Sequence, residues 1–251
     1  MIVVPQHNAL VLKANNPEQI LACIPQSKRF NHKGTELVYV PHDIDAVKIL
    51  RNLGAKAPGP MDFYYEYPKA EGKYDPFTHQ RTTGEFLTLH NKCAVLNAPR
   101  TGKTNSCLWA SDYLMDLGRV RKVLIVSPLS TLERVWGDAI FLTFFRRKAL
   151  VLYGSAERRK KLLKQEADFY IINHDGFGII ADHITDEFDL VIYDEAAVLR
   201  NPSTRRFKQF HKFMQMRPNI RLWLLTGTPT PNEPTDAWSL CKLLDQPVPR
   251  Y

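Results

Sequence analysis

One stretch restricts the fold of this chain more than any other: residues 97–104, with the sequence Asn-Ala-Pro-Arg-Thr-Gly-Lys-Thr. The apolar run Cys93–Leu96 precedes it and predicts a short buried strand, whereas the amphipathic run that ends at Gly118 predicts a helix. A strand, a tight loop with Gly-Lys-Thr and a helix form a phosphate-binding loop. Because Asn97 stands where such loops usually have their first glycine, an ordinary strand-to-helix turn stays open as an alternative.

If the loop binds a nucleotide, each residue type in it has a chemical task. The Lys103 ammonium is expected to reach the β- and γ-phosphates of ATP, and the Thr104 hydroxyl is expected to bind Mg²⁺. Backbone N–H groups of the loop are expected to hold the phosphates. The predicted nucleotide-binding residues of the loop are therefore Pro99, Arg100, Thr101, Gly102, Lys103 and Thr104.

From residue 76 onward the sequence alternates between short apolar runs and helical segments of about 10–15 residues. The runs are mostly continuous rather than alternating, which is typical of strands buried on both faces of a parallel sheet. The predicted fold class is therefore α/β, a parallel sheet with helices on both faces, preceded by a small α+β domain. The predicted strands are 93–97, 122–127, 149–153, 168–173, 189–194 and 220–226.

We predict three parts: a small α+β domain at 1–56, a linker at 57–75 rich in Pro, Gly and Tyr, and an α/β domain at 76–251. The first part contains two candidate strands and two candidate helices, the helices beginning with Pro17 and after Asp43. The candidate strands are Ala9–Leu12 and Glu36–Val40.

The formal net charge of the 251 residues is +8, and most of it lies in the second part of the chain. Residues 1–75 contain 9 Lys/Arg and 8 Asp/Glu, whereas the remaining residues contain 25 and 18. The excess is clustered, which suits a polyanion such as nucleic acid, although solvated helix faces explain a single cluster equally well. The clusters are Arg119/Arg121/Lys122, Arg146–Lys148, Arg158–Lys161 and Arg205/Arg206/Lys208.

The four cysteines form no CxxC pair, so we expect reduced, buried thiols rather than a metal site or disulfides. The sequence contains no secretory signal pattern and no apolar run near the ~18 residues that span a membrane. We therefore expect no membrane association and a cytoplasmic or nucleoid-associated location.

Polar residues follow two of the later predicted strands. Asp194 and Glu195 end the apolar run 189–194, at the edge of the sheet where ligands bind in parallel α/β folds. Asp194 is expected to hold Mg²⁺ and Glu195 to accept a proton from an attacking water. The segment 226–232 follows the next strand, so its polar groups are expected to face the same cleft, although an ordinary Gly/Pro loop stays open as an alternative.

Taken together, these motifs resemble the first RecA-like lobe of helicase superfamily two, and within it the Swi/Snf-type DNA translocases. Residues 128–136, Pro-Leu-Ser-Thr-Leu-Glu-Arg-Val-Trp, are similar to a segment typical of that branch. Residues 189–202 resemble its Asp-Glu-Ala-His box and the sequence after it, and residues 77–80 its glutamine motif. The likeness covers about 76–246.

The resemblance implies an ATP-binding and ATP-hydrolysing lobe of a double-stranded DNA translocase or remodeller that uses Mg²⁺. It implies that Gln80 binds the adenine edge and that Ser130, Thr131 and His174 contact the DNA backbone without reading its sequence. It also implies that Thr226, Gly227 and Thr228 sense the γ-phosphate. A non-enzymatic module that binds nucleotide or DNA and docks on a full-length translocase stays open. A nucleotide kinase is disfavoured because nothing resembles an acceptor-binding lid.

The sequence departs from the family pattern in two places. Ala197 replaces the histidine that usually follows Asp-Glu-Ala, which puts the coupling of hydrolysis to DNA in question. The residues up to Tyr251 contain no counterpart of the second RecA-like lobe, which supplies arginine fingers in relatives. At the other end, the basic turn Lys28–Phe30 weakly resembles the small HepA-related domain of annealing-type relatives.

Overall fold

The computed structural model describes residues 1–228 and 236–244. The chain divides into two compact units, Met1–Glu66 and Tyr67–Tyr251. The division falls inside the segment 57–75 that the sequence predicts as a linker.

The first unit is built on a four-stranded antiparallel sheet with the order β1-β2-β4-β3. Leu10 in β2 lies opposite Val40 in β4, and both side chains are buried. The side chains of Asn16 and Asp43 cap the two main helices by accepting hydrogen bonds from backbone N–H groups. The elements are β1 Ile2–Val4, β2 Ala9–Leu12, α1 Pro17–Cys23, β3 Lys28–His32, β4 Thr35–Pro41, α2 Ile44–Asn52 and α3 Met61–Tyr64.

Two of these strands, β1 and β3, are absent from the sequence prediction. The prediction of a basic turn at Lys28–Phe30 is wrong, because these residues belong to β3, which pairs with β4 so that Arg29 lies opposite Val38. All five residues of β3 are exposed, so the segment lacks the apolar alternation by which a strand is recognised. Arg29 also forms ion pairs with Glu18 and Glu36, which leaves its guanidinium engaged within this unit.

The predicted linker contributes to both units instead of forming a separate segment. Within the first unit, the ring nitrogens of His42 lie 2.9 Å from the Tyr64 hydroxyl and 3.0 Å from the Pro58 carbonyl oxygen. Within the second unit, the Tyr67 ring packs edge-on against Trp109, whose indole N–H donates to the Pro68 carbonyl at 2.8 Å. Tyr64 and Tyr67 of this segment therefore pack within their own units, whereas Tyr74 is exposed.

The second unit contains a parallel sheet of six strands within the described residues, in the order β5-β10-β9-β6-β8-β7. All its pairings are parallel, which confirms the predicted α/β class. Each predicted strand is present, with ends that differ from the prediction by at most two residues. The strands are β5 Lys92–Val95, β6 Lys122–Ser127, β7 Ala149–Val151, β8 Phe169–Asn173, β9 Phe188–Tyr193 and β10 Arg221–Leu225.

Helices connect these strands and cover the sheet. Leu124 and Val126 of β6 share a core cluster with helix residues Phe177 and Phe210. Val123 and Ile125 alternate with them, point to the other face and are also fully buried, so the strand is covered on both faces. The helices are α4 Thr78–Leu89, α5 Lys103–Asp116, α6 Asp138–Thr143, α7 Ala156–Leu163, α8 His174–Ile180, α9 Arg205–Gln215 and α10 Asp236–Leu243.

Several basic residues that the sequence offered as polyanion contacts are engaged in the fold. The Arg147 guanidinium donates to Asp112 at 2.6 Å and to Asp116 at 2.6 Å, and Arg159 is buried. Others form ion pairs with acidic residues around β9, at 2.8 Å in each case: Arg121 with Asp189 and Lys122 with Glu187. The charge clusters are therefore poorer indicators of a nucleic-acid surface than their composition suggested.

The expectation of four buried thiols is wrong for two of them. Cys93 and Cys107 are buried, whereas Cys23 and Cys241 are exposed, and all four are free. Burial raises the pKa of the Cys93 thiol to about 12, so this side chain is uncharged at neutral pH. Among the residues that the structure describes, no helix is both long enough and apolar enough to cross a bilayer.

Candidate nucleotide-binding site

The Gly-Lys-Thr loop connects β5 to α5 at the carboxyl edge of the parallel sheet. Arg100 and Gly102 adopt left-handed backbone conformations, with φ of 62° and 79°, and Gly102 is the residue that caps α5. The Lys103 ammonium donates to the carbonyl oxygens of Asn97 at 2.8 Å and Ala98 at 3.0 Å. The loop therefore curls around the Lys103 ammonium at the N-terminus of a 14-residue helix, which is the geometry that favours a bound anion.

Helix α4 holds this loop from one side. His79 Nε2 and Gln80 Nε2 both donate to the Thr101 carbonyl oxygen, at 3.0 Å and 3.2 Å. The other amide atom of Gln80, Oε1, accepts from the Phe77 backbone N–H at 3.0 Å. Gln80, the predicted adenine contact, thus also fixes the start of α4 and supports the phosphate loop. The second amide hydrogen and the second lone pair of Oε1 of Gln80 stay available for hydrogen bonds with a nucleotide base.

A pocket of about 530 Å³ lies beside Gln80 and the start of α5. Its lining includes the aromatic residues Tyr74, Phe77 and Trp109 together with Thr104 and several charged side chains. The Tyr74 side chain is 84% exposed, so it is accessible to a ligand in the pocket. Aromatic walls next to a phosphate loop provide stacking surfaces for a planar base.

Asp194 and Glu195 follow β9 at the same edge of the sheet. One Asp194 oxygen, Oδ1, accepts from the Glu195 backbone N–H at 3.0 Å, and the other, Oδ2, accepts from the Trp136 indole at 3.1 Å. Glu195 is exposed and has a φ of 51°, a left-handed conformation that is costly for a residue with a side chain. Its carboxylate is therefore held out of the sheet edge, accessible to water.

The electrostatics of Asp194 link it to the phosphate loop. Burial raises the pKa of the Asp194 carboxyl, and the nearby Glu195 carboxylate raises it further, whereas the Trp136 hydrogen bond and the Lys103 charge lower it. Burial has the largest effect, so the net direction is upward. A carboxylate that burial makes costly to ionise gains from a cation, which is the behaviour expected of a metal ligand.

The donor set at this edge suits Mg²⁺. The Thr104 hydroxyl and the Asp194 carboxylate would offer Mg²⁺ hard oxygen donors, and Mg²⁺ is usually held by one or two protein carboxylates together with phosphates and water. Across residues 1–228 and 236–244, no cluster of three or more His, Cys, Asp or Glu side chains could form an all-protein metal cage.

The segment after β10 reaches the phosphate loop directly. A Cβ atom added to Gly227 would lie 2.9 Å from Cδ of Pro99, so only glycine allows this approach. Thr226 is buried, and its hydroxyl accepts from the Thr228 backbone N–H at 3.1 Å. Gly227 therefore lies against the loop, and the Thr226 backbone N–H donates to the Val95 carbonyl just before it at 3.1 Å; the sensing role of Thr226, Gly227 and Thr228 stays a prediction. Residues 229–232 of the same motif are outside the described residues.

The three predicted DNA contacts differ in their accessibility. Ser130 is exposed in a short turn, and the neighbouring Thr131 hydroxyl donates to the Pro128 carbonyl at 3.0 Å. His174 is half-buried, stacks on Tyr193 with ring centroids 5.0 Å apart, and donates from Nε2 to the Asp194 carbonyl at 2.8 Å. Burial lowers the pKa of His174, which favours its neutral form. Its visible contacts join the ends of β8 and β9; the DNA contact stays a prediction.

Two residues at the site, His79 and Trp136, were missed as site residues in the sequence. Both lie inside recognised motifs, next to Gln80 and at the end of the segment 128–136. Their positions in those motifs were the sequence signal by which both could have been recognised as site residues. Which backbone or carboxylate oxygen each would contact depends on chain segments 22 and 58 residues away, which the motifs do not specify.

Comparisons with known proteins identify the family to which this chain belongs. The chain is similar to the ATP-dependent helicase FUN30 of Saccharomyces cerevisiae, with 31% identity over 185 residues, which is 66% of this chain and 16% of the relative. It is also similar to the human helicase-like transcription factor, with 31% identity over 50% of this chain and 13% of that protein. The chain thus spans less than a fifth of the length of these two relatives.

Among solved structures, the fold matches the SWI2/SNF2 ATPase core of Sulfolobus solfataricus, described in complex with double-stranded DNA. The TM-score is 0.60 at 19% identity, over 72% of this chain and 37% of that one, which supports the fold alone. The sequence model of the SNF2-related domain matches residues 21–248, nearly the whole chain. The protein therefore belongs to the SNF2-related domain family.

Proposed function

We propose that this chain is the ATP-binding and ATP-hydrolysing lobe of a double-stranded DNA translocase or remodeller. The observation that carries the proposal is the convergence of three segments at one sheet edge. Strands β5, β10 and β9 are adjacent and parallel, so the segments that follow them lie at the same edge, and Gly227 makes a close approach to Pro99 of the loop. Family membership and relatives that are named as helicases support the same reading.

In this proposal, the loop residues from Pro99 to Thr104 bind the phosphates, and Lys103 provides the main side-chain charge. The aromatic pocket and Gln80 hold the adenosine part. Thr104 and Asp194 hold Mg²⁺, which neutralises charge on the phosphate oxygens when bound. Glu195, the exposed carboxylate next to Asp194, accepts the proton of the attacking water.

Hydrolysis by this lobe alone should be very slow. Lys103, Thr104, Asp194 and Glu195 act on the phosphates from a single RecA-like lobe, whereas an arginine from the opposite side contributes about 10³–10⁵-fold in related enzymes. Arg100 is exposed on the phosphate loop itself and is poorly placed for that task. We therefore propose that a second RecA-like lobe, in the same protein or in a partner, completes the active site.

The DNA part of the proposal rests on the exposed Ser130 and its neighbour Thr131, on His174, and on the net charge of +8. Binding should be to the backbone of duplex DNA, without sequence preference and with an affinity that falls steeply as salt rises. A strong preference for one sequence, or equal affinity at 50 mM and 500 mM salt, would contradict it.

The test is a steady-state ATPase and ATP-binding measurement on highly purified protein, with Lys103→Ala and Glu195→Gln as variants. We expect the wild type to bind Mg-ATP and turn it over slowly, Lys103→Ala to lose binding, and Glu195→Gln to keep binding without turnover. Brisk DNA-stimulated turnover by the monomer, absent from Glu195→Gln, would show that one lobe completes the site.

The same measurement separates the alternative of a non-enzymatic module. A protein that binds nucleotide or DNA but shows no Glu195-dependent turnover, even when a second lobe is supplied, would favour a module that docks on a full-length translocase. Unchanged ATP affinity in a folded Lys103→Ala variant would reject the phosphate loop itself.

A further inference from the structure

A single hydrogen bond joins two motifs that are 58 residues apart in the chain. The indole N–H of Trp136 donates to Oδ2 of Asp194 at 3.1 Å. Trp136 is fully buried, so its N–H has little access to water. A buried indole N–H usually has a partner, and here that partner is the carboxylate predicted to hold the metal.

The backbone around Trp136 holds the indole in place. Residues Leu132–Gly137 form a π-helical turn, a rare conformation that occurs frequently at functional sites. The turn begins directly after Ser130 and Thr131. Within this turn the side chains of Leu132 and Trp136 are both buried, which anchors the turn in the core. The position of the indole is therefore set by the same segment that carries the proposed DNA contacts.

The two hydrogen bonds that the Asp194 carboxylate accepts leave lone pairs free for a metal ion and fix the direction in which these lone pairs point. Oδ1 accepts from the Glu195 N–H and Oδ2 accepts from Trp136, so each oxygen has one donor and keeps a further lone pair. Two donors on different oxygens fix the plane of the carboxylate. Partners of this kind orient metal ligands, and their loss typically costs about 10–100-fold in metal affinity or activity.

We propose that Trp136 is a positioning residue that orients the Asp194 carboxylate for Mg²⁺ and so joins the segment 130–137 to the nucleotide site. This inference rests on the proposed function, because it takes Asp194 as a ligand of a nucleotide-associated ion. Trp136 itself touches neither nucleotide nor metal. Its effect should therefore appear in the Mg²⁺ dependence of nucleotide binding rather than in nucleotide binding as such.

The experiment compares Trp136→Phe with the control Trp223→Phe. Trp223 in β10 is also fully buried, and its indole N–H donates to the His90 carbonyl at 3.2 Å instead of to a carboxylate. Binding of a fluorescent, non-hydrolysable ATP analogue is titrated with Mg²⁺ in excess and with EDTA, and circular dichroism checks the fold. We expect Trp136→Phe to lower the Mg²⁺-dependent affinity about 10–100-fold and leave the EDTA affinity within about two-fold of wild type. Trp223→Phe should change neither.

Two outcomes in the Trp136→Phe variant would contradict the proposal. Wild-type Mg²⁺ dependence in folded Trp136→Phe, or the same loss of affinity with EDTA as with Mg²⁺, would overturn the positioning role. If Trp136→Phe does not fold, benzothienylalanine at position 136 keeps the bicyclic ring and removes only the N–H, and it must reproduce the Mg²⁺-specific loss. A wild-type protein that binds the analogue under neither condition would reject the proposed function instead.

Discussion

The substitution Gly102→Ala tests the geometry of the phosphate loop most directly. Gly102 has a φ of 79°, and an added Cβ atom would lie 2.1 Å from Gln80 Nε2. The left-handed conformation costs about 1–2 kcal/mol for a residue with a Cβ. The displaced Gln80 amide also loses its hydrogen bond to the Thr101 carbonyl, worth about 1 kcal/mol.

The backbone strain and the lost hydrogen bond add up to about 2–3 kcal/mol, from which the loss of affinity for Mg-ATP can be calculated. If the strain is relieved by distorting the loop, the competent geometry is populated about 30–150-fold less, and the apparent affinity for Mg-ATP falls by the same factor. Isothermal titration calorimetry or a fluorescent ATP analogue measures this directly.

Gly118→Ala is the matched control. Gly118 lies just after the same helix, α5, has a φ of 66°, and has no atom within 4 Å of an added Cβ. The Gly118→Ala variant therefore has the backbone strain of a left-handed alanine without the collision. We expect a lower melting temperature with unchanged ATP affinity. Equal ATP affinities in Gly102→Ala and Gly118→Ala would refute the assignment of Gly102 and Gln80 to the binding loop.

Two further predictions concern stability. Arg147→Met removes the guanidinium from the buried Asp112 carboxylate and should lower the free energy of unfolding by about 3–5 kcal/mol in urea titrations, whereas the exposed Arg146→Met should cost less than about 1 kcal/mol. A similar small loss in both would contradict the burial of the first pair. Burial raises the pKa of the Asp189 carboxyl, but hydrogen bonds from Arg121 lower it, and the net pKa is below its ordinary value. The Arg121–Asp189 pair should therefore stabilise the fold fully above about pH 4, and this stabilisation should be lost as the pH falls through the lowered pKa of Asp189. The difference in free energy of unfolding between wild type and Arg121→Met should accordingly shrink on acidification. A difference that stays constant down to pH 2 would contradict this prediction.

The sequence by itself determined the α/β class and named the residues of the proposed nucleotide site. Continuous apolar runs such as 122–127 and 189–194 can be buried on both faces, so their strand character is local information. The Gly-Lys-Thr loop and the Asp194-Glu195 pair are similarly local, because a phosphate loop needs its residues in consecutive order and a strand end fixes where its next residues lie.

Only the tertiary structure decided which partners those residues have. The strand β3 is exposed along its whole length and exists because β4 supplies its hydrogen bonds, which no local pattern encodes. Arg147 looked like part of a solvent-facing basic cluster, but Asp112 from a distant helix engages it. Trp136 and Asp194 are separated by 58 residues, and their contact depends on how two segments pack at one sheet edge. Such pairings come from the global arrangement of the chain, so a sequence motif can name the residues of the site without naming their partners.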